Sequence, residues 1–264
     1  MSDEAMTSRR VLITGATSGF GAGVALQLAR ARFDVTAAGQ TWQQVTALRE
    51  RAAQEKTRLE VIKLDLLDLT DLEHAADRDV DVLILNAGVQ EAGSLVDIPL
   101  DRVRRSFEVN VLGHLDLAQR LIPGMMKRKR GKVVWMSSQA GLMGVPFLGT
   151  YSATKHAIEA IASTMKAELN PFGIAVATVN PGLYRTGFNE TGAETYGQWS
   201  GRREVRIPMP DAAPLMALQH DPQPMIDAIV DMVRDRKSQY RTMLPEDAVL
   251  EAKASQALGW TQKA

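Results

Sequence analysis

Apolar residues along this chain fall into two alternating patterns. Short, nearly continuous runs occupy Val11–Thr14, Val35–Ala38, Leu59–Leu64, Val82–Leu85, Lys132–Ser137 and Ala175–Val179. Between them, apolar positions recur with helical spacing over about 20–32, 41–55, 68–77, 99–127 and 151–170. Runs without polar alternation suit strands buried on both faces, and the longer stretches suit helices covering them. The pattern predicts an α/β fold, a doubly wound parallel sheet in three layers with right-handed crossovers.

Regularity fails between Pro181 and Pro224, a stretch rich in Pro, Gly, Tyr, Trp and Arg with weak periodicity. A long loop-like insert in a compact domain is usually a functional lid or partly disordered, and a substrate lid is expected over about 183–222. A helix from Gln223 to Arg236 and a short strand near Tyr240–Leu244 follow, and the last twenty residues read as a helix or tail. Neither a repeat nor a linker divides the chain. The expectation is a flexible tail over 1–9 and a single domain over 10–264.

Composition narrows the function classes. Thirty-one Lys and Arg balance 31 Asp and Glu, so no net field favours nucleic acid or an anionic membrane. The basic run Lys127–Arg130 ends a helical pattern, where cations suit the helix dipole. Cysteine is absent, which excludes disulfides, thiolate metal sites and a cysteine nucleophile. No apolar run approaches the roughly 20 residues that span a bilayer. The N-terminal residues lack an apolar signal core, so a soluble cytoplasmic protein is expected. His114 and His156 have no second ligand at metal spacing and read as structural, with no metal site.

Candidate chemistry centres on Tyr151 and Lys155. On a helix, positions i and i+4 share a face, and a neighbouring ammonium favours the phenolate, so the pair suits general acid/base work. Ser138 lies thirteen residues before Tyr151; alone, it could equally cap the following turn. Near the N-terminus, Thr14-Gly15 leads into Thr17-Ser18-Gly19-Phe20-Gly21 after the first strand. Glycines there permit a tight turn and close approach of a pyrophosphate to a helix N-terminus, although an ordinary strand–helix turn has the same composition. The turn is not an ATP phosphate loop, because no Gly-Lys-Ser/Thr follows.

Taken together, T-G-x-x-x-G-x-G, Asn86-Ala87-Gly88, Asn110 in N-V-L-G, Ser138 in S-S-Q-A-G, Y-S-A-T-K and Pro181-Gly182 stand in the order found in short-chain dehydrogenases/reductases. The chain resembles that family over about residues 10–188. Within it, P-F-L-G-T-Y-S-A-T-K and N-P-F-G-I-A-V are similar to the hydroxysteroid-dehydrogenase-like group. The resemblance implies a Rossmann-type fold and an NAD(P)-dependent oxidoreductase acting on a secondary alcohol or ketone. It implies that Tyr151 is the acid/base, that Lys155 lowers its pKa and holds the nicotinamide ribose, and that Ser138 orients the substrate oxygen. Asn110 would interrupt its helix and hold a relay water. Asp65 and Leu66 would meet the adenine, with a helix cap as the alternative for Asp65. Asn86, Ala87 and Gly88 would face the adenosine, and Pro181, Gly182 and Thr186 the carboxamide and phosphates.

Gly39 stands where NAD-preferring relatives carry Asp, and Gln40 where many NADP-preferring relatives carry Arg. Lack of a repelling carboxylate favours NADP over NAD. Met143 and Tyr184 are expected at the substrate, within an apolar set that includes Val145, Phe147, Leu183, Phe188, Tyr196 and Trp199. Arg185, Arg202, Arg203 and Arg206 suggest an acidic substrate group or a solvated surface. A catalytically silent sensor or scaffold, and an epimerase or dehydratase with bound NAD, are the rival readings. Small outward residues Ala153, Ala157, Ala160 and Ser163 suggest helix pairing in a homodimer or homotetramer.

Overall fold

In the computed structural model, residues 9–235 and 238–261 are described. Seven strands form one parallel sheet: β1 (Arg10–Ile13), β2 (Asp34–Gly39), β3 (Glu60–Lys63), β4 (Val82–Leu85), β5 (Gly131–Met136), β6 (Ile174–Pro181) and β7 (Arg241–Leu244). Their order is β3-β2-β1-β4-β5-β6-β7, so the winding reverses between β1 and β4. Register pairs Val11 with Val35 on one side and with Val82 on the other. A reversal of this kind opens a crevice at the carboxyl ends of the two strands, where open α/β sheets bind ligands.

Strand alternation divides the core between two faces. Val11, Ile13, Val35 and Ala37 pack with α1 (Gly19–Arg30), α2 (Trp42–Gln54) and α9 (Gln223–Arg234). Leu12, Leu83, Leu85 and Trp135 pack with α3 (Leu69–Ala76), α5 (Gly113–Arg128) and α6 (Gly149–Leu169). In α9, Met225, Ile226, Ile229, Val230 and Val233 recur at helical spacing and are buried. Each such side chain contributes about 2 kcal/mol of burial. Among the described residues, no helix is long and apolar enough to cross a membrane.

The structure departs from the sequence reading in several places. Arg9 is buried rather than part of a tail: its guanidinium donates to Arg234 O at 2.7 Å and lies 5.8 Å from the Phe33 ring centroid. Residues 1–8 and Arg236 lie outside the described residues. The stretch 99–127 is not one helix; α4 (Leu100–Phe107) passes through a π turn at Glu108–Leu112 before α5 begins. The insert also contains α7 (Phe188–Ser200) and the one-turn α8 (Ala213–Met216). Gly192 and Gly197 lower the intrinsic helicity of α7. Tertiary contacts hold it instead: Trp199 Nε1 donates to Ala92 O at 3.3 Å, and Thr195 Oγ1 donates to Gln90 O at 3.2 Å. The C-terminal residues form α10 (Glu246–Gly259).

Candidate active site

The turns after β1 and β4 are tied together by side chains. Thr14 Oγ1 accepts from Asn86 N at 2.8 Å and Ala87 N at 3.0 Å, while Asn86 Nδ2 donates to Thr14 O and Gly15 O. Gly15 has φ +60°, and a Cβ there would stand 2.6 Å from Ala87 Cα. At Gly21 a Cβ would stand 2.4 Å from Gly15 O. Only bare backbone closes this turn. Ser18 precedes α1 without capping it through its side chain, which leaves first-turn N–H groups for an anion.

A cavity of about 700 Å³ runs from this turn to Tyr151, a size typical of cofactor pockets. Gly15, Thr17, Ser18, Gly19 and Phe20 line one wall. Gln40, Asp65 and Leu66 line the next, followed by Asn86, Ala87 and Gly88. Pro181, Gly182 and Thr186 close it from β6, and a Cβ on Gly19 would lie 3.1 Å from Thr186 Cβ. The bare glycine turn and uncapped helix start fit a dinucleotide pyrophosphate. Four named residues stand behind the wall rather than on it: Thr14, Gly21, Gly39 and Asn110.

Position 39 has a packing reason to be glycine. A Cβ there would meet Thr17 Cγ2 at 2.6 Å, so an aspartate could not enter without displacing Thr17. Gln40 Nε2 donates to Asp65 Oδ2 at 3.1 Å, and Gln44, missed by the sequence reading, accepts from Gln40 N at 2.9 Å. Gln44 also completes a capping box with Thr41, a local signal that was legible in T-x-x-Q. Asp65 is not the cap of α3; Asp68 is, accepting from Thr70 N and Asp71 N.

At the other end, Ser138, Tyr151 and Lys155 converge on the cavity. Ser138 Oγ accepts from Ala140 N at 3.1 Å, so it does cap the next turn; it lies 3.5 Å from Pro181 O as a donor and stands beside the Tyr151 phenol. Lys155 Nζ donates to Met136 O at 2.7 Å and lies 5.4 Å from the Tyr151 ring centroid. Burial pushes the phenol well above its ordinary range, and the Ser138 contact pulls only partly against it. Burial also lowers Lys155 to about 8, with Glu159 opposing. The expected lowering of the tyrosine pKa by Lys155 is not what this geometry gives. Desolvation dominates, and the resting phenol is protonated.

Asn110 is fully buried in the π turn. Its amide donates to Val89 O and Thr154 Oγ1 and accepts from Val89 N. One amide proton therefore fastens the loop after β4, and the other ties the π turn to Thr154 on α6. Met143 lines the cavity. Tyr184 also reaches it but is buried on the glycine-turn side, edge-on to Phe20 at 5.2 Å. Trp199 and Tyr196 pack on each other at 5.2 Å and anchor the insert, and they do not line the cavity.

His114 links the two ends. Its Nε2 lies 3.0 Å from Thr14 Oγ1, and its Nδ1 lies 3.1 Å from Asn110 O. Because Thr14 Oγ1 already accepts two N–H groups, its own proton goes to Nε2, and Nδ1–H donates to Asn110 O. Burial lowers His114 to about 4 from an ordinary 6.5. The unfolded chain binds this proton near pH 6.5 and the folded ring does not. Stability from the neutral ring is thus complete above pH 6.5 and lost as pH falls toward 4, about 3 kcal/mol in all. Urea midpoints of the parent and His114→Asn should converge over that range, and parallel curves would contradict the assignment.

The sequence pattern of the short chain dehydrogenase family matches residues 9–197. An uncharacterised oxidoreductase of Bacillus subtilis is 33% identical over 199 residues, covering 72% of this chain and 70% of that protein. Human 17-beta-hydroxysteroid dehydrogenase type 1 is 34% identical over 194 residues, covering 68% and 58%. A short-chain dehydrogenase from Sphingobium yanoikuyae, solved in complex with NADPH, superposes with a TM-score of 0.73 at 25% identity, covering 97% of this chain and 98% of that one. With the glycine turn, the reversed winding and the Ser–Tyr–Lys cluster in one cavity, this chain belongs to the short-chain dehydrogenase/reductase family of oxidoreductases.

Proposed function

We propose that the protein transfers a hydride between a nicotinamide cofactor and a secondary alcohol or ketone of apolar character. The observation that carries this reading is the convergence of Ser138, Tyr151 and Lys155 on the cavity that the glycine turn opens. The bound cofactor supplies or accepts the hydride at the carbinol carbon. Reduction also needs a proton at the carbonyl oxygen, and the protonated Tyr151 phenol is the group placed to deliver it. Ser138 Oγ, beside that phenol, holds the same oxygen and fixes the carbonyl for attack. Lys155 spends one N–H on Met136 O, which leaves donors for the ribose hydroxyls. Oxidation runs the same transfers backward, with the alcohol proton returning to Tyr151.

NADP is favoured over NAD because no carboxylate stands at Gly39 to repel a 2′-phosphate. Turnover with a panel of apolar ketones, comparing kcat/KM for NADPH and NADH, tests both statements. A sensor would bind cofactor without consuming it.

Ala153, Ala160 and Ser163 are exposed along α6, and Leu112 is 48% exposed at the start of α5. Small exposed residues let helices approach closely, and pairing there gives a closed homodimer or homotetramer. Light scattering at micromolar concentration should read two or four times the 28.9 kDa chain mass. A single-chain mass would contradict the assembly.

A further inference from the structure

The cavity wall beyond the catalytic cluster includes Met143, Val145, Leu148, Leu183, Phe188 and Leu215, side chains suited to hydrocarbon. One carboxylate interrupts it. Glu251, carried on α10, lines the same cavity, and its Oε2 accepts from Gln139 Nε2 at 2.5 Å. Gln139 directly follows Ser138, so the carboxylate is tied to the segment that holds the substrate oxygen. The corner is firmly built: Ala248 and Ala252 of α10 are buried, and a Cβ on Gly182 would lie 3.1 Å from Ala248 Cβ and 3.5 Å from Gln139 Oε1.

Charge then decides what this corner accepts. Among the described residues lining the cavity, three carry formal charge: Asp65, Lys155 and Glu251. Asp65 is engaged with Gln40, and Lys155 belongs to the catalytic cluster, which leaves Glu251, an exposed residue of α10, as the remaining charge of the lining. Arg185, Arg202, Arg203 and Arg206 do not line the cavity, and Arg206 lies 3.7 Å from Asp97 instead. Among the described residues lining the cavity, the acidic substrate group that these arginines suggested would meet no cation other than the catalytic Lys155. A carboxylate has about four lone-pair sites, of which Gln139 occupies one, so Glu251 can accept hydrogen bonds and attract cations while opposing another carboxylate.

We propose that Glu251 is a specificity-determining residue. It selects apolar ketones or alcohols that carry a hydrogen-bond donor, hydroxyl or ammonium, away from the reacting carbon, and it disfavours those carrying a carboxylate there. This inference rests on the oxidoreductase reading of the cavity and names its substrate class.

The test uses 2-octanone chains bearing a terminal ammonium, hydroxyl or carboxylate. Binding to the cofactor-saturated protein is measured by calorimetry, and turnover is measured separately. The parent should favour the ammonium and hydroxyl chains over the carboxylate chain by roughly fivefold, the scale of a partly exposed ion pair. Glu251→Gln should bring the ammonium-to-carboxylate ratio close to one, and Glu251→Lys should invert it. Ratios within one variant cancel any general loss of affinity. If Glu251→Gln lowers only the ammonium chain, charge is what is read; an equal fall for the hydroxyl chain identifies hydrogen bonding. Equal binding of the three chains by the parent, or a ratio unchanged in both variants, would overturn the proposal. Preferential binding without turnover of any ketone would instead overturn the oxidoreductase reading and leave the Glu251 preference standing.

Discussion

Tyr151→Phe is expected to bind NADPH as the parent does and to lose turnover by roughly a thousandfold, the scale of a removed general acid. Phenylalanine keeps the ring, which lies 5.7 Å from the Phe188 ring centroid and is buried in the cavity wall. It removes the one hydroxyl that can both contact Ser138 and deliver a proton. Residual activity would come from positioning by Ser138 and the bound cofactor, with water as a poor proton source. Cofactor fluorescence titration and single-turnover rates separate binding from chemistry. Turnover within tenfold of the parent would remove Tyr151 from the acid/base role.

Gly15→Ala should act on the opposite end of the cavity. The backbone at φ +60° disfavours any L side chain, and the new methyl would press on Ala87 Cα from 2.6 Å. Relieving that contact moves the loop after β4, the same loop that Asn86 and Thr14 hold against the glycine turn. Strain and displacement together should cost on the order of 2 kcal/mol of stability. Cofactor affinity should fall roughly a hundredfold, because the pyrophosphate turn loses its shape. Calorimetric binding beside a urea melt distinguishes the two losses. Unchanged affinity would mean that the turn does not hold the dinucleotide.

How much of this was legible in the sequence follows from how local each feature is. Strands covered on both faces appear as unbroken apolar runs, so Val82–Leu85 coincides with β4 residue for residue, and Leu59–Leu64 overruns β3 by one residue at each end. The glycine turn and the Tyr151–Lys155 pair are likewise short-range patterns. Features set by tertiary contact were not legible. The α7 helix has two interior glycines and takes its stability from Trp199 against the loop at Ala92. His114 reads from sequence only as structural, and its partner Thr14 lies 100 residues away. Glu251 meets Gln139 across 112 residues, and nothing around Glu251 in the chain marks it as a cavity residue. The raised phenol pKa also escaped the sequence reading, since desolvation depends on what the fold packs around Tyr151 and not on the adjacent lysine alone.

The most direct test of hydride transfer at this site follows the isotope. The protein is incubated with NADPH carrying deuterium at the transferable nicotinamide position and with an apolar methyl ketone, and the alcohol product is analysed by mass spectrometry. One deuterium on the carbinol carbon, with transfer slowed roughly a thousandfold in Tyr151→Phe, is the predicted result. Cofactor that binds the protein but leaves no deuterium in any alcohol product would contradict it.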